Sequence, residues 1–433
     1  MKLNARISRV VFAGCIFLPA LIIDAQTAVP VRTLSAPEAV TLLPFGAIES
    51  VRPLNKGGVL VNDSHKRQLI ALDSTFASFS VTLDSVPEKA LYYNSKSISL
   101  IPYTGDSTLY QDVRQQKFFV IDPNGEVVSA FGKQLAGSDL LNIFPPRGFD
   151  AAGNAITMGI PQFNLFPNGG AAGNSERQIV RVNFTTQKYE ELTNIMTMPL
   201  ESVRSSLDSK GQQHAVRTVN PMASSDEWVV LMDGAVAVLR AKDYRVEMFG
   251  ANGKKVASVK LPYTKRRVSD AEKRAIIDSA RKAINDEPVS LTSPTNTMLA
   301  TIGELQKIGP DSLKKIARKE DGAFKVSGTA TAVVQAEIVF SPLSEMENFY
   351  PPFRKGQPSA DLDGNLWIAT TAISPIDANE TIYDVVNNRG VLTQRVRVPA
   401  GRSIVGFGRG GAIYLKFRKN ENAWMLERVR TVN

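Results

Sequence analysis

The sequence predicts an all-β fold, a six-bladed β-propeller with a mainly helical insertion between blades four and five. Three observations predict it. Short alternating strands recur in pairs separated by turn-forming residues. Gly58-Val59-Leu60-Val61-Asn62-Asp63 leads to Arg67 to Leu72 and Asp73-Ser74-Thr75, and Gly105 to Asp112 leads to Phe118 to Ile121 and Asp122-Pro123-Asn124-Gly125. A hairpin of this kind cannot bury its own apolar face, so its repetition implies a radial array of small sheets. Six such groups can be placed, within the range of roughly four to eight blades that closes a ring. The composition, 43% hydrophobic and 21% charged, is that of a chain with a packed core.

Residues 1–25 read as a secretory signal and the propeller as 26–433. Lys2, Arg6 and Arg9 form a positive n-region, Val10 to Ile23 is apolar apart from Pro19, and Ala25 is a small residue suited to cleavage. The apolar run falls short of the ~20 residues of a membrane span. The expectation is a secreted or periplasmic chain with no transmembrane segment after cleavage near Ala25. Cys15 is the one cysteine. Phe12-Ala13-Gly14-Cys15 looks like a lipoprotein box, but the apolar run continues to Ile23, so lipidation is not expected. With Cys15 removed, disulfides and cysteine chemistry are excluded.

The first strand group runs from about Val51 to Leu83, and the second from Ile98 to Gly132. The third begins at Phe149-Asp150-Ala151-Ala152-Gly153 and includes Ile179 to Phe184 and Tyr189 to Leu192, with a loop rich in glycine and asparagine from Asn164 to Asn174. In the fourth, Trp228 to Leu231, Ala235 to Leu239, Tyr244 to Phe249 and Val256 to Leu261 are strands. Asp233-Gly234 and Asn252-Gly253 are its turns, dipeptides that tolerate positive φ. The fifth carries Asp363-Gly364, Leu366-Trp367-Ile368, Ile382 to Val386 and Leu392 to Val398. The sixth runs from Ile404 to Val432. Val31 to Leu34 or Ala39 to Leu43 is expected to close the ring beside the blade holding Tyr414 and Trp424.

The insertion spans 264–350. Ser269-Asp270-Ala271-Glu272 is a capping box, and Ala271, Ala275, Ile276, Ser279 and Ala280 keep helical spacing to about Ile284. A second helix is expected from Pro310 or Asp311 to about Arg318, beyond a Ser-, Thr- and Pro-rich stretch at Pro288 to Thr297. Long insertions tend to carry function, though this one could equally serve as a cover over exposed sheet.

The segments Val59 to Asp73, Phe149 to Asn154, Asp233 to Gly253 and Asp361 to Ile368 resemble the secreted six-bladed propellers of the NHL/TolB-like superfamily, in an uncharacterised bacterial branch with a signal peptide and a helical insertion after the fourth blade. The resemblance implies the propeller fold over nearly all of 30–433. Propellers of this kind include binders of peptides, proteins and sugars, and calcium-dependent lactonases. No catalytic motif transfers residue by residue.

Several motifs bear on chemistry. Gly105-Asp106-Ser107 matches the nucleophile block of GDSL hydrolases, but the histidines, His65 and His214, stand in no late Asp-x-x-His block. Gly406-Phe407-Gly408-Arg409-Gly410-Gly411 matches G-x-G-x-x-G, yet it leads into the strand Ala412 to Leu415 and not into a helix. Its glycines read as a hairpin turn and tight packing near the axis. Asp361-Leu362-Asp363-Gly364-Asn365 looks like half a calcium loop, but Leu366 and Ala372 hold the positions that need glycine and carboxylate. Two histidines cannot build a three-histidine zinc site.

The candidate binding residues form two sets. Asp63 and Asp112 stand just after what read as the inner strands of groups one and two. His65, Arg67 and Arg114 lie beside them, and Arg240 and Asp243 occupy the matching place in group four. Together they make a polar mouth for the central channel and leave calcium open as a ligand. An aspartate at a strand end also serves local backbone amides, which is the plainer role. Arg147 and Arg354 each follow a Pro-Pro pair flanked by aromatics, in Phe144-Pro145-Pro146-Arg147-Gly148-Phe149 and Phe349-Tyr350-Pro351-Pro352-Phe353-Arg354. Arginine beside exposed aromatics suits peptide or sugar recognition; rigid loops packed by their own rings would look the same.

The formal charge of +9 comes from scattered cations, with small clusters at Lys265-Arg266-Arg267 and Lys314-Lys315. No basic stripe interleaves with aromatics, so nucleic acid is not an expected partner. The functional expectation is an exported, non-enzymatic binding or scaffold protein. It is expected to be a monomer and to take a protein, peptide or glycan on one face, with no cofactor, metal site or catalytic residue assigned. The alternative is a metal-dependent propeller hydrolase or lyase acting at the channel through Asp63 and Asp112.

Overall fold

The computed structural model describes residues 29–86, 99–112, 117–131, 146–159, 163–165, 171–173, 176–183, 186, 188–197, 203–207, 213–286, 337–421 and 423–432. Its strands form six antiparallel blades in chain order. Blade 1 is Ile48–Pro53, Val59–Asp63, Gln68–Leu72 and Phe79–Leu83. Blade 2 is Ile101–Pro102, Thr108–Asp112, Lys117–Ile121 and Val127–Phe131. Blade 3 is Gly148–Phe149, Ala155–Met158, Glu176–Val182 and Tyr189–Met196. Blade 4 is Glu227–Val230, Val236–Arg240, Arg245–Phe249 and Lys255–Lys260. Blade 5 is Ser359–Ala360, Leu366–Ala369, Thr381–Val386 and Leu392–Val398. Blade 6 is Arg402–Phe407, Ile413–Asn420 and Ala423–Val429, completed by Ala39–Val40 from the other end of the chain.

Each blade is buried on both faces by its neighbours, so the apolar core is six wedges between blades and not one central mass. Period-two alternation feeds two wedges from one strand. In blade 4, Val236 and Val238 join the cluster shared with Ile156, Ile179 and Leu192 of blade 3. Ala237 and Leu239 join the cluster shared with Leu366, Ile368 and Val386 of blade 5.

The first strand of each blade lies nearest the axis, and the first strands of successive blades approach one another. Gly406 of blade 6 faces blade 1 so closely that a Cβ there would lie 2.7 Å from the Val51 carbonyl oxygen. Asp63 and Asp112 therefore end second strands, not inner ones; the inner strand of blade 1 is Ile48–Pro53. The physical reason lies in pairing. Val59–Asp63 is buried along its whole length because a strand flanks it on each edge.

At one end of the ring, the turn from first to second strand repeats six times with the same backbone bond, the amide of one residue to the carbonyl four residues on. The pairs are Leu54 to Gly58, Tyr103 to Ser107, Asp150 to Asn154, Leu231 to Ala235, Asp361 to Asn365 and Gly408 to Ala412, at 2.8–3.0 Å. Asp361 shows how side chains hold the turn: it accepts from the amides of Asp363 and Asn365, from Asn365 Nδ2 and from Trp367 Nε1. All connections of variable length emerge at the opposite end.

Both N-terminal segments take part in closure. Ala39–Val40 is the outer strand of blade 6, and Phe45 and Trp424 exchange backbone bonds beside it at 2.8 and 2.9 Å. Val31–Leu34 adds in parallel to Leu392–Val398 of blade 5 and in antiparallel to Thr431–Val432, so both chain ends are knitted into the same sheet.

In the insertion, a helix covers Asp270–Asp286. The strand Glu337–Phe340 does not stay within the insertion: it pairs in parallel with Gln213–Val219, itself paired with Val203–Leu207 in the connection between blades 3 and 4. The helix packs Ile276 and Ile277 against a small core of Met222, Val268 and Met346. Buried Lys273 donates to the carbonyls of Leu343 and Met346 and to Asn348 Oδ1. Residues 1–28, including Cys15 and Ala25, Arg114, and the helix expected at 311–318 lie outside the described residues.

Candidate functional site, a charged collar at one mouth of the ring

The chain sets every described candidate residue at the end where the long connections emerge. Their side chains do different work there. Asp63 is fully buried, and its carboxylate accepts from the amides of Gly46 and Ala47 at 2.9 and 3.1 Å and of Lys66 at 3.0 Å. It fastens the lead-in of blade 1's inner strand to the turn that follows the second strand. His65 lies over Gly46. Arg67 holds a left-handed conformation in the same turn, at φ 57°. Asp112 occupies the equivalent buried position in blade 2. Arg240 is saturated: it donates to Asp226 at 2.8 Å, Glu247 at 2.6 Å and the Asn194 carbonyl at 2.7 Å. Asp243 accepts from Arg245 Nε at 2.9 Å.

Arg147 and Arg354 are placed differently. Each stands at the lead-in to an inner strand, of blades 3 and 5 respectively, and each keeps its side chain exposed. Arg147 donates to the Trp228 carbonyl at 2.7 Å, and its guanidinium sits 4.6 Å from the Trp228 ring centroid. Glu227 lies 4.0 Å from it and accepts from the amide of Gly356 at 2.8 Å. Lys355 shares the field of the same carboxylate. Desolvation lowers the pKa of both Arg147 and Lys355, and Glu227 partly offsets it. One carboxylate of blade 4 thus serves two cations, Arg147 at the inner edge of blade 3 and Lys355 at that of blade 5, while Arg354, next to Lys355, donates to the Thr370 carbonyl at 3.3 Å.

Beside Arg354 runs the connection 370–380 of blade 5. Arg354 and Ala369 share a backbone bond, and the Thr371 amide donates to the Pro352 carbonyl. The connection is braced internally, with Ser374 Oγ on Glu380 and the Asn379 amide on Asp377, and it presents Ile373 and Ile376 to solvent at 52% and 70% exposure. Cations next to exposed aliphatic side chains can hold a ligand that carries acidic and apolar groups together.

Sequence reasoning missed Glu227, Lys355, Ile373 and Ile376. The available signal was positional: Glu227 opens the inner strand of its blade, at the same lead-in that singles out Arg147 and Arg354. Among the described residues no three His, Cys, Asp or Glu side chains gather in a way that could hold a metal ion. No helix among them is long and apolar enough to cross a membrane.

The strand order defines the chain as a six-bladed β-propeller. No family model and no curated protein matches its sequence. Among solved structures it is similar to a member of the DUF4221 family from Bacteroides vulgatus, at 9% identity over 92% of this chain and 98% of that one, with a TM-score of 0.42. It is also similar to virginiamycin B lyase from Staphylococcus aureus, at 10% identity, 88% and 94% coverage and a TM-score of 0.33. A third is the calcium-binding protein regucalcin from Agrobacterium tumefaciens, at 10% identity, 93% and 96% coverage and a TM-score of 0.34. Resemblance at this level carries no functional argument.

Proposed function

We propose that the chain is an exported, non-enzymatic binding propeller of the secreted NHL/TolB-like kind. Its working surface is the mouth that carries the long connections, and its partner presents carboxylates beside apolar groups. That description suits a protein or peptide segment better than a neutral glycan. The observation that carries the reading is the grouping of Arg147, Arg354 and Lys355 with solvent-facing Ile373 and Ile376 at one end of the ring. Arginine and aliphatic side chains in one patch supply both charge and apolar area to an interface. The routine alternative, channel hydrolysis through Asp63, is weakened because three backbone amides already use that carboxylate.

Peptides selected against the full chain test this, with affinity read by fluorescence anisotropy. Acidic and apolar sequences are expected to emerge. The double variant Arg147→Glu and Arg354→Glu is expected to bind them at least about tenfold more weakly, the loss of one or two charge-assisted contacts. Lys254→Glu, in a turn at the opposite end, is expected to change nothing. Unchanged affinity in the double variant would sink the reading. The first residue of the chain recovered from periplasm or medium tests export and cleavage near Ala25.

A further inference from the structure

The opposite mouth, where the six short turns cluster, holds a second feature. Arg52 is the penultimate residue of the inner strand Ile48–Pro53 and pairs with Leu60 across the hairpin. Leu60 packs toward blade 2 with Tyr110 and Phe119, so Arg52 points into the same seam. It is 7% exposed. Its Nε reaches Thr108 Oγ1 at 3.4 Å, long for a hydrogen bond. Its two terminal nitrogens have no hydrogen-bond partner among the described residues.

The charges around it do not balance. The carboxylate whose field reaches Arg52 belongs to Asp106, in the blade 2 turn, and Arg409 of the blade 6 turn already holds that carboxylate at 2.7 Å, spanning blade 1. Two guanidinium groups therefore share one carboxylate. Burial lowers the Arg52 pKa to about 10, which leaves it charged at neutral pH. A buried cation without a full complement of acceptors is unfavourable unless something supplies them. The neighbouring turns leave room: a Cβ built on Gly105 or Gly411 would meet no atom within 4 Å.

We propose that Arg52 and Arg409 form an oxyanion-binding site at the short-turn mouth of the channel, taking a carboxylate, sulfate or phosphate group. The planar guanidinium of Arg52 offers paired N–H donors that match two oxygens of such a group. The site lies at the other end of the ring from the proposed partner surface and does not depend on that reading.

The test uses the full chain at constant ionic strength, with phosphate, sulfate or acetate exchanged for chloride and melting temperature and calorimetric heat recorded. A saturable rise in melting temperature is expected with at least one anion, and comparison of the three separates a carboxylate from a phosphate or sulfate preference. Arg52→Met removes the charge at similar volume; it is expected to melt at or above wild type in chloride and to lose the anion response. Arg409→Gln, on an exposed turn, is expected to weaken anion affinity at least about tenfold. The proposal is overturned by no anion response in the wild type, or by a wild-type response in Arg52→Met. Should Arg52→Met fail to fold, unchanged anion affinity in Arg409→Gln overturns it.

Discussion

At the scale of residues, the propeller uses buried charge at its seams. Tyr244 of blade 4 donates to Asp384 of blade 5 at 2.6 Å, and Arg395 donates to the other oxygen of that carboxylate at 2.8 Å. Burial and then the adjacent carboxylate push the Tyr244 pKa well above its usual value. Tyr244→Phe leaves one Asp384 oxygen without its donor, and a drop of about 1–3 kcal/mol in unfolding free energy is expected, read by chemical denaturation. Residues of this type were hard to judge from sequence. Asp63, Arg240 and Asp243 look like a polar mouth when only their turn positions are known. What separates them from Arg147 and Arg354 is how each charge is used: Asp63 holds three backbone amides, Arg240 is paired with two carboxylates and Asp243 with Arg245, whereas Arg147 and Arg354 keep exposed side chains.

At the scale of elements, local chemistry was legible wherever the signal is local. Ser269 and Glu272 form the capping box: the Ser269 amide donates to Glu272, and the Glu272 amide donates back to Ser269 Oγ. Those bonds from Ser269, with Arg266 and Tyr350 adding to them, hold the Glu272 carboxyl down to about 2. The sign follows from a depressed folded value: the cap is intact above the ordinary value of 4.5 and is lost as pH falls through about 2. Ser269→Ala is expected to cost about 1 kcal/mol of local helix stability. Faster hydrogen exchange in the first turn of Asp270–Asp286, with the six blades unaffected, would check it. The parallel pairing of Gln213–Val219 with Glu337–Phe340 was not legible, because the two strands lie more than a hundred residues apart.

At the scale of the molecule, closure is what makes six marginal sheets stable. Each wedge needs both of its blades, so loss of one seam exposes two apolar faces. The lock is the segment 29–45: buried Thr41 accepts from the Leu426 amide at 3.0 Å, and Phe45 pairs with Trp424. A chain starting at 46 is expected to melt at a markedly lower temperature or to aggregate, as measured by calorimetry and size-exclusion chromatography. A wild-type melting curve from that truncation would show that the ring does not depend on its N-terminal strands. By itself the sequence determined the blade repeat, the turn chemistry, the capped helix and the closing role of the N-terminal strands, because period-two alternation and turn residues act within a few positions of one another. The tertiary structure alone decided which strand lines the axis, which charges are spent on the backbone, and that Glu227 joins Arg147 to Lys355. Those outcomes depend on which strands and blades come to lie against one another, and no short stretch of chain carries that information.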